Sequence, residues 1–162
     1  MKFVLIISIF FSLLLVGCQS ATVANKTTKN EKWLNTALAN DIEFYTDTAN
    51  IRFDGATAFA REKRIYLTAE SRKLYVDKIR DRYTEMKKPE KADKWNDFSY
   101  CIYECEYDCT NQRFRTLSVE DFDSQGNSII KIVTQKKNLK WLNVERETIG
   151  DYTFFFVCDY QQ

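Results

Sequence analysis

The chain of 162 residues holds five cysteines and no histidine, so side-chain chemistry has to be sought at sulfur. Without an imidazole, both the commonest general base and the commonest metal ligand are missing. Cys18 stands where an apolar run gives way to polar sequence. Cys101, Cys105 and Cys109 recur at every fourth residue, and Cys158 lies alone near the C-terminus. On a helix the three recurring thiols would share one face, as a metal site requires. Tyr100, Ile102, Tyr103 and Tyr107 instead favour a strand, and no histidine supplies a fourth ligand. Cys-x-x-x-Cys also lacks the Cys-x-x-Cys spacing of thiol oxidoreductases. The chemistry left for these four in an oxidising compartment is disulfide formation.

In an extended strand Cys101 and Cys105 stand about 13 Å apart, well beyond the Cα separation of about 6.8 Å that a disulfide spans. Cys158 is the one distant partner, and Cys109 lies nearest the end of its strand. Spacing alone leaves open which of the three takes it. Cys101 and Cys105 can form a second disulfide if a bend or bulge draws them together, and otherwise stay as thiols.

The N-terminus carries a different signal. Lys2 precedes an apolar run from residue 3 to 16, interrupted by Ser8 and Ser12 and ending in Leu15-Val16-Gly17-Cys18. Fourteen residues fall short of the roughly 20 that a spanning helix needs. The run reads as a signal peptide, residues 1–17. Its last four residues resemble the lipobox of bacterial lipoproteins, which implies cleavage before Cys18 and a covalent lipid on its sulfur. More than one acyl chain then gives lasting membrane attachment. Gln19, where an Asp would favour retention at the inner membrane, implies the outer membrane. Residues 18–31 form the lipidated cysteine and a polar, aperiodic tether.

The formal charge of +1 (24 basic against 23 acidic residues) includes Lys2, so the chain from Cys18 onward is neutral. That balance argues against a nucleic-acid partner, which demands an excess of cations.

These elements belong to one domain, residues 32–162. Strands are expected at 42–45, 51–53, 56–67, 98–109, 113–122 and 128–134. Turns fall at 47–50, Asp54-Gly55 and Gly126-Asn127. Tyr75, Ile79, Tyr83 and Met86 recur at helical spacing, predicting an amphipathic helix over 72–88 that stops at Pro89. Its basic residues (Arg72, Lys73, Arg80, Lys87, Lys88) are interleaved with Asp77, Asp81 and Glu85, as on a solvated face. Asp121 to Asn127 matches the start of a calcium loop, but position twelve is Ile132 where a bidentate Glu belongs, so a hairpin turn accounts for it. Glu104, Glu106 and Asp108 alternate as on a solvated strand face. No phosphate-binding glycine loop or Gly-x-Ser-x-Gly motif occurs, which points away from an enzyme.

Tyr107-Asp108-Cys109, Arg113, Arg115, Asp121 to Gly126, Trp141, and the run from Thr148 to Cys158 resemble the surface-adhesin protein E family of Gram-negative lipoproteins. Glu43 to Asp47 followed by Asn50-Ile51 resembles that family's Tyr-x-Asp segment. The resemblance implies an α+β fold: an antiparallel β-sheet with a C-terminal helix packed on it, to which the 72–88 segment adds one inserted amphipathic helix. It implies a Cys109–Cys158 disulfide and a helix capped by Thr148, although Phe154 to Val157 would by propensity form a strand. Glu145 to Glu147 and the extra Cys101 and Cys105 depart from the family pattern.

The expected function is a non-enzymatic binding module without cofactors, an adhesin for a host extracellular-matrix protein. The alternative is a periplasm-facing envelope lipoprotein with a structural or accessory role. An open sheet edge also offers a route to a homodimer.

Overall fold

The computed structural model describes residues 30–160. Eight strands form one antiparallel sheet: β1 (Trp33–Ala39), β2 (Ile42–Asp47), β3 (Arg52–Asp54), β4 (Thr57–Tyr66), β5 (Phe98–Asp108), β6 (Arg113–Asp123), β7 (Ser128–Val133) and β8 (Leu142–Asn143). The main order is β1-β2-β4-β5-β6-β7, with β3 on β4 and β8 on β6. Two α-helices, α1 (Ala69–Glu85) and α2 (Ile149–Cys158), complete the α+β fold.

Both helices pack on the same face. The β4–β5 register sets Ala58 opposite Tyr107, Ala60 opposite Cys105 and Arg64 opposite Cys101. Because strand side chains alternate, these residues share one side of the sheet. Phe154 and Val157, one helical turn apart on α2, close over Ala58, Ala60, Cys105 and Tyr107. The two alanines leave the depth that the Phe154 ring fills. At the other end Val76 of α1 and Trp95 pack with Tyr66, Phe98 and Cys101. Tyr75 and Phe98 stack there with ring centroids 4.5 Å apart.

Local chemistry explains where the elements differ from expectation. Helix α1 starts at Ala69 and not at 72, because Thr68 caps it: its hydroxyl accepts from the Ser71 amide at 3.1 Å, and Ser71 Oγ accepts from the Thr68 amide. The helix ends before Lys87, which takes φ +57°, and Pro89–Trp95 form a separate 3₁₀ turn. Strand β1 escapes notice because Trp-Leu-Asn-Thr-Ala-Leu-Ala does not alternate, and a bulge between Asn35 and Ala37 breaks its register. Its turn, Asn40-Asp41, has both residues at positive φ, as a two-residue hairpin of the right twist requires. The next hairpin turns one residue later than expected: Asp54 still pairs with Thr57, and the loop is Gly55-Ala56 with Gly55 at φ +58°. The short strand β8 has no sequence signal of its own.

Thr148 caps α2 by accepting from the Asp151 amide at 3.2 Å. That start, together with burial of Phe154 and Val157, holds Phe154 to Val157 in a helix against their strand propensity.

Candidate functional site

On the face away from the helices, β5 presents Tyr100, Ile102, Glu104, Glu106 and Asp108. Its neighbours add Arg61 and Lys63 from β4, and Arg113, Arg115, Glu120 and Phe122 from β6. No helix among the described residues covers this side. The acidic residues are answered across the strands. Arg115 donates two hydrogen bonds to Glu106 at 2.7 and 2.9 Å, and Arg113 Nη2 lies 2.8 Å from Asp108. Lys131 lies 3.1 Å from Glu104 and 3.7 Å from Glu120. Burial raises the Glu104 pKa, but hydrogen bonds from Ser118 and Lys131 more than offset this and hold the carboxyl below its ordinary range. Asp108 is held low chiefly by hydrogen bonding from Asn111.

Aromatic rings stand at both ends of this polar ladder. Lys63 Nζ sits 4.2 Å from the centroid of Trp33 and 5.7 Å from that of Tyr100, which stacks on Phe122 at 4.7 Å. Burial lowers the Lys63 pKa, with the Glu31 charge opposing. At the far end Arg113 and Arg115 lie 4.8 and 4.3 Å from the Trp141 ring. Both tryptophans are half-buried, with rings carrying cations at the rim of an open face. Such rings offer large rigid contact area, and cations placed over them bring charge for a protein partner.

The cysteines divide by position. Cys109 and Cys158 are joined, with Cα atoms 5.7 Å apart, tying the end of β5 to α2. Cys101 and Cys105 are buried free thiols, and the second disulfide does not form in this structure. Each has a partner on β4 in continuous register, so β5 is fully extended between them. The nearby β5–β6 irregularity, between Glu104 and Cys105, places its extra residue on β6 at Leu117. Burial pushes the Cys101 thiol up to about 12, and Cys105 well above its usual range. Cys18 lies outside the described residues.

Asp121 does not sit in a cation loop. It is buried and accepts from Trp95 Nε1 at 2.6 Å and Tyr75 OH at 2.8 Å. Asp123 accepts from the Gln125 and Asn127 amides, closing the turn around Gly126. Among the described residues no group of three or more Cys, Asp or Glu is placed to hold a metal ion. On α1, Lys73 pairs with Asp77 and Arg72 donates to the Tyr66 carbonyl, as on a solvated helix face.

The alternation of β5 was the legible signal for the open face. Trp33 and Trp141 join it from segments too short or irregular to read, and only the family resemblance singled out Trp141.

The surface-adhesin protein E family model matches residues 33–159. The chain belongs to this family. Solved structures similar to it include Haemophilus influenzae protein E in crystal form II, at 11% identity and TM-score 0.44, covering 81% of this chain and 97% of that one. Protein E from non-typeable Haemophilus influenzae matches at 12% identity and TM-score 0.43, covering 81% and 85%. No curated protein matches the chain. The family match spans the sheet and both helices, from the first residue of β1 to one residue beyond α2.

Proposed function

We propose that the chain is an outer-membrane lipoprotein whose domain, residues 32–162, is a non-enzymatic adhesin for a host or extracellular-matrix protein. Residues 1–17 are removed, lipid on Cys18 holds the protein to the membrane, and residues 18–31 form the tether. The observation that carries this reading is the sheet face free of helices, where Trp33, Lys63 and Tyr100 at one end and Arg113, Arg115 and Trp141 at the other frame a polar ladder. Family membership supports the adhesin class. The outer edges of β1 and β7 also give a homodimer a route by strand pairing.

Protease treatment of intact cells tests the display. Degradation of the domain is expected, together with membrane release of a Cys18→Ser variant. Complete protection would favour the periplasm-facing accessory role, and a Cys18→Ser protein still in the membrane would remove the lipid anchor from the reading.

A further inference from the structure

The helix-covered face contains one residue that the core does not need. Arg64, in the middle of β4, extends between α1 and α2, its guanidinium 4.0 Å from the Tyr103 ring centroid and 5.5 Å from that of Phe44. Its Nε is buried with no hydrogen-bond partner. Glu62 on the same strand approaches Nη2 only to 3.6 Å, longer than the roughly 2.7 to 2.9 Å of a charge-assisted hydrogen bond. About a third of the Arg64 side chain stays open to solvent while Nε itself is enclosed, so the guanidinium keeps donor capacity that Glu62 does not use.

Arg64 opens into a cavity of about 350 Å³. Phe44, Tyr107 and Phe114 give it apolar walls, and the start of α2 closes it. The first-turn amides of Ile149 and Gly150, both lining the cavity, have no intrahelical acceptor and no other acceptor among the described residues. Gly150 is conspicuous because nothing in the fold requires a glycine there: its φ is not positive, and a Cβ would meet only Thr148 Oγ1 at an ordinary 3.5 Å. A glycine kept where a side chain would fit leaves the backbone open to a ligand. Glu62 is the one acidic group in the lining. It approaches Arg64 only to 3.6 Å, so the guanidinium and the two free amides outnumber it.

We infer that this cavity binds a carboxylate borne on a small apolar or aromatic group. The carboxylate sits between the Arg64 guanidinium and the N-terminus of α2, and the apolar part lies against Phe44, Tyr107 and Phe114. A free small acid and the C-terminus of a peptide ending in a hydrophobic residue share this chemistry. The site lies on the opposite face of the sheet from the adhesin surface and does not depend on that reading.

The test uses the full chain in non-ionic detergent, with 15N NMR of the Arg64 Nε–Hε and Gly150 amide signals. The probes are 3-phenylpropanoate, a tripeptide ending in phenylalanine with a free carboxylate, and the amide of each. The acids are expected to shift both signals with a Kd of about 1 mM, and the amides to bind at least about tenfold more weakly. The tighter of the two acids identifies the source of the carboxylate. Arg64→Met should abolish binding while leaving the Tm close to that of the wild type. Gly150→Leu, which fills the cavity without touching the charge, should abolish it too and keeps the test sound if the first variant fails to fold. Equal binding of acids and amides, wild-type binding by Gly150→Leu, or no shift with either acid at about 10 mM would overturn the site.

Discussion

A single strand, β5, separates the two faces of this protein. Its residues Cys101, Cys105 and Tyr107 lie under the helices and are almost completely buried, whereas Glu104, Glu106 and Asp108 between them meet Lys131, Arg115 and Arg113 on the open side. The covered face buries aromatic and small side chains in two clusters beneath the helices and is tied at one end by the Cys109–Cys158 bond. The open face neutralises its charges pairwise across strands. Stability therefore depends mainly on one face, leaving the other able to change its side chains at little thermodynamic cost.

Substitutions on the two faces should separate widely. Replacing both Cys109 and Cys158 by Ala removes a crosslink spanning 49 residues in sequence, and should cost about 4 kcal/mol in a urea titration on the loop-entropy model. A loss below about 1 kcal/mol would show that α2 stays docked without its tie. Asp121→Ala should cost about 1 to 3 kcal/mol at acid pH, because it leaves Trp95 Nε1–H and Tyr75 OH without their acceptor.

The sign of its pH dependence follows from burial, which raises the Asp121 pKa above 3.8 against the lowering effect of the Trp95 and Tyr75 hydrogen bonds. Between the unfolded and folded pKa values the folded chain holds the proton more tightly. The wild-type advantage over Asp121→Ala is thus full below about pH 4 and falls as pH rises through the folded pKa. Denaturant midpoints of both proteins across the acid range check this, and an advantage that grows with pH would contradict it.

Smaller effects are expected elsewhere. Gly150→Ala at the start of α2 should stabilise by about 0.5 to 1 kcal/mol, since the added methyl meets no clash and glycine is a poor helix former. Lys131→Ala on the open face should change stability by at most about 0.5 kcal/mol, as both carboxylates it meets are solvent-accessible. If Lys131→Ala proved as damaging as the Asp121 change, the division of labour between the faces would fail.

The sequence made some of this plain and hid the rest for physical reasons. Alternation in β5 and β6 and the Gly126-Asn127 turn showed the central strands, because a half-buried strand must alternate. The α1 boundary slipped because Thr68 and Ser71 cap each other outside the apolar period. Helix α2 was visible only through family likeness, since three consecutive phenylalanines prefer a strand until the cap and the packing of Phe154 decide otherwise. Strand β1 and its Trp33 were hidden by a bulge, and nothing in the 56–67 strand singled out Arg64. Which side of a sheet a cation occupies depends on where the helices land, and that is a property of the whole fold.

The central claim is that the open sheet face carries adhesion while the covered face carries most of the stability. Adhesion of cells displaying the protein to immobilised extracellular-matrix proteins, measured for a Lys63→Glu, Trp141→Ser variant beside its Tm, tests it directly. The account predicts at least a tenfold loss of adhesion with the Tm within about 4 °C of wild type. Undiminished adhesion by a folded variant would contradict it.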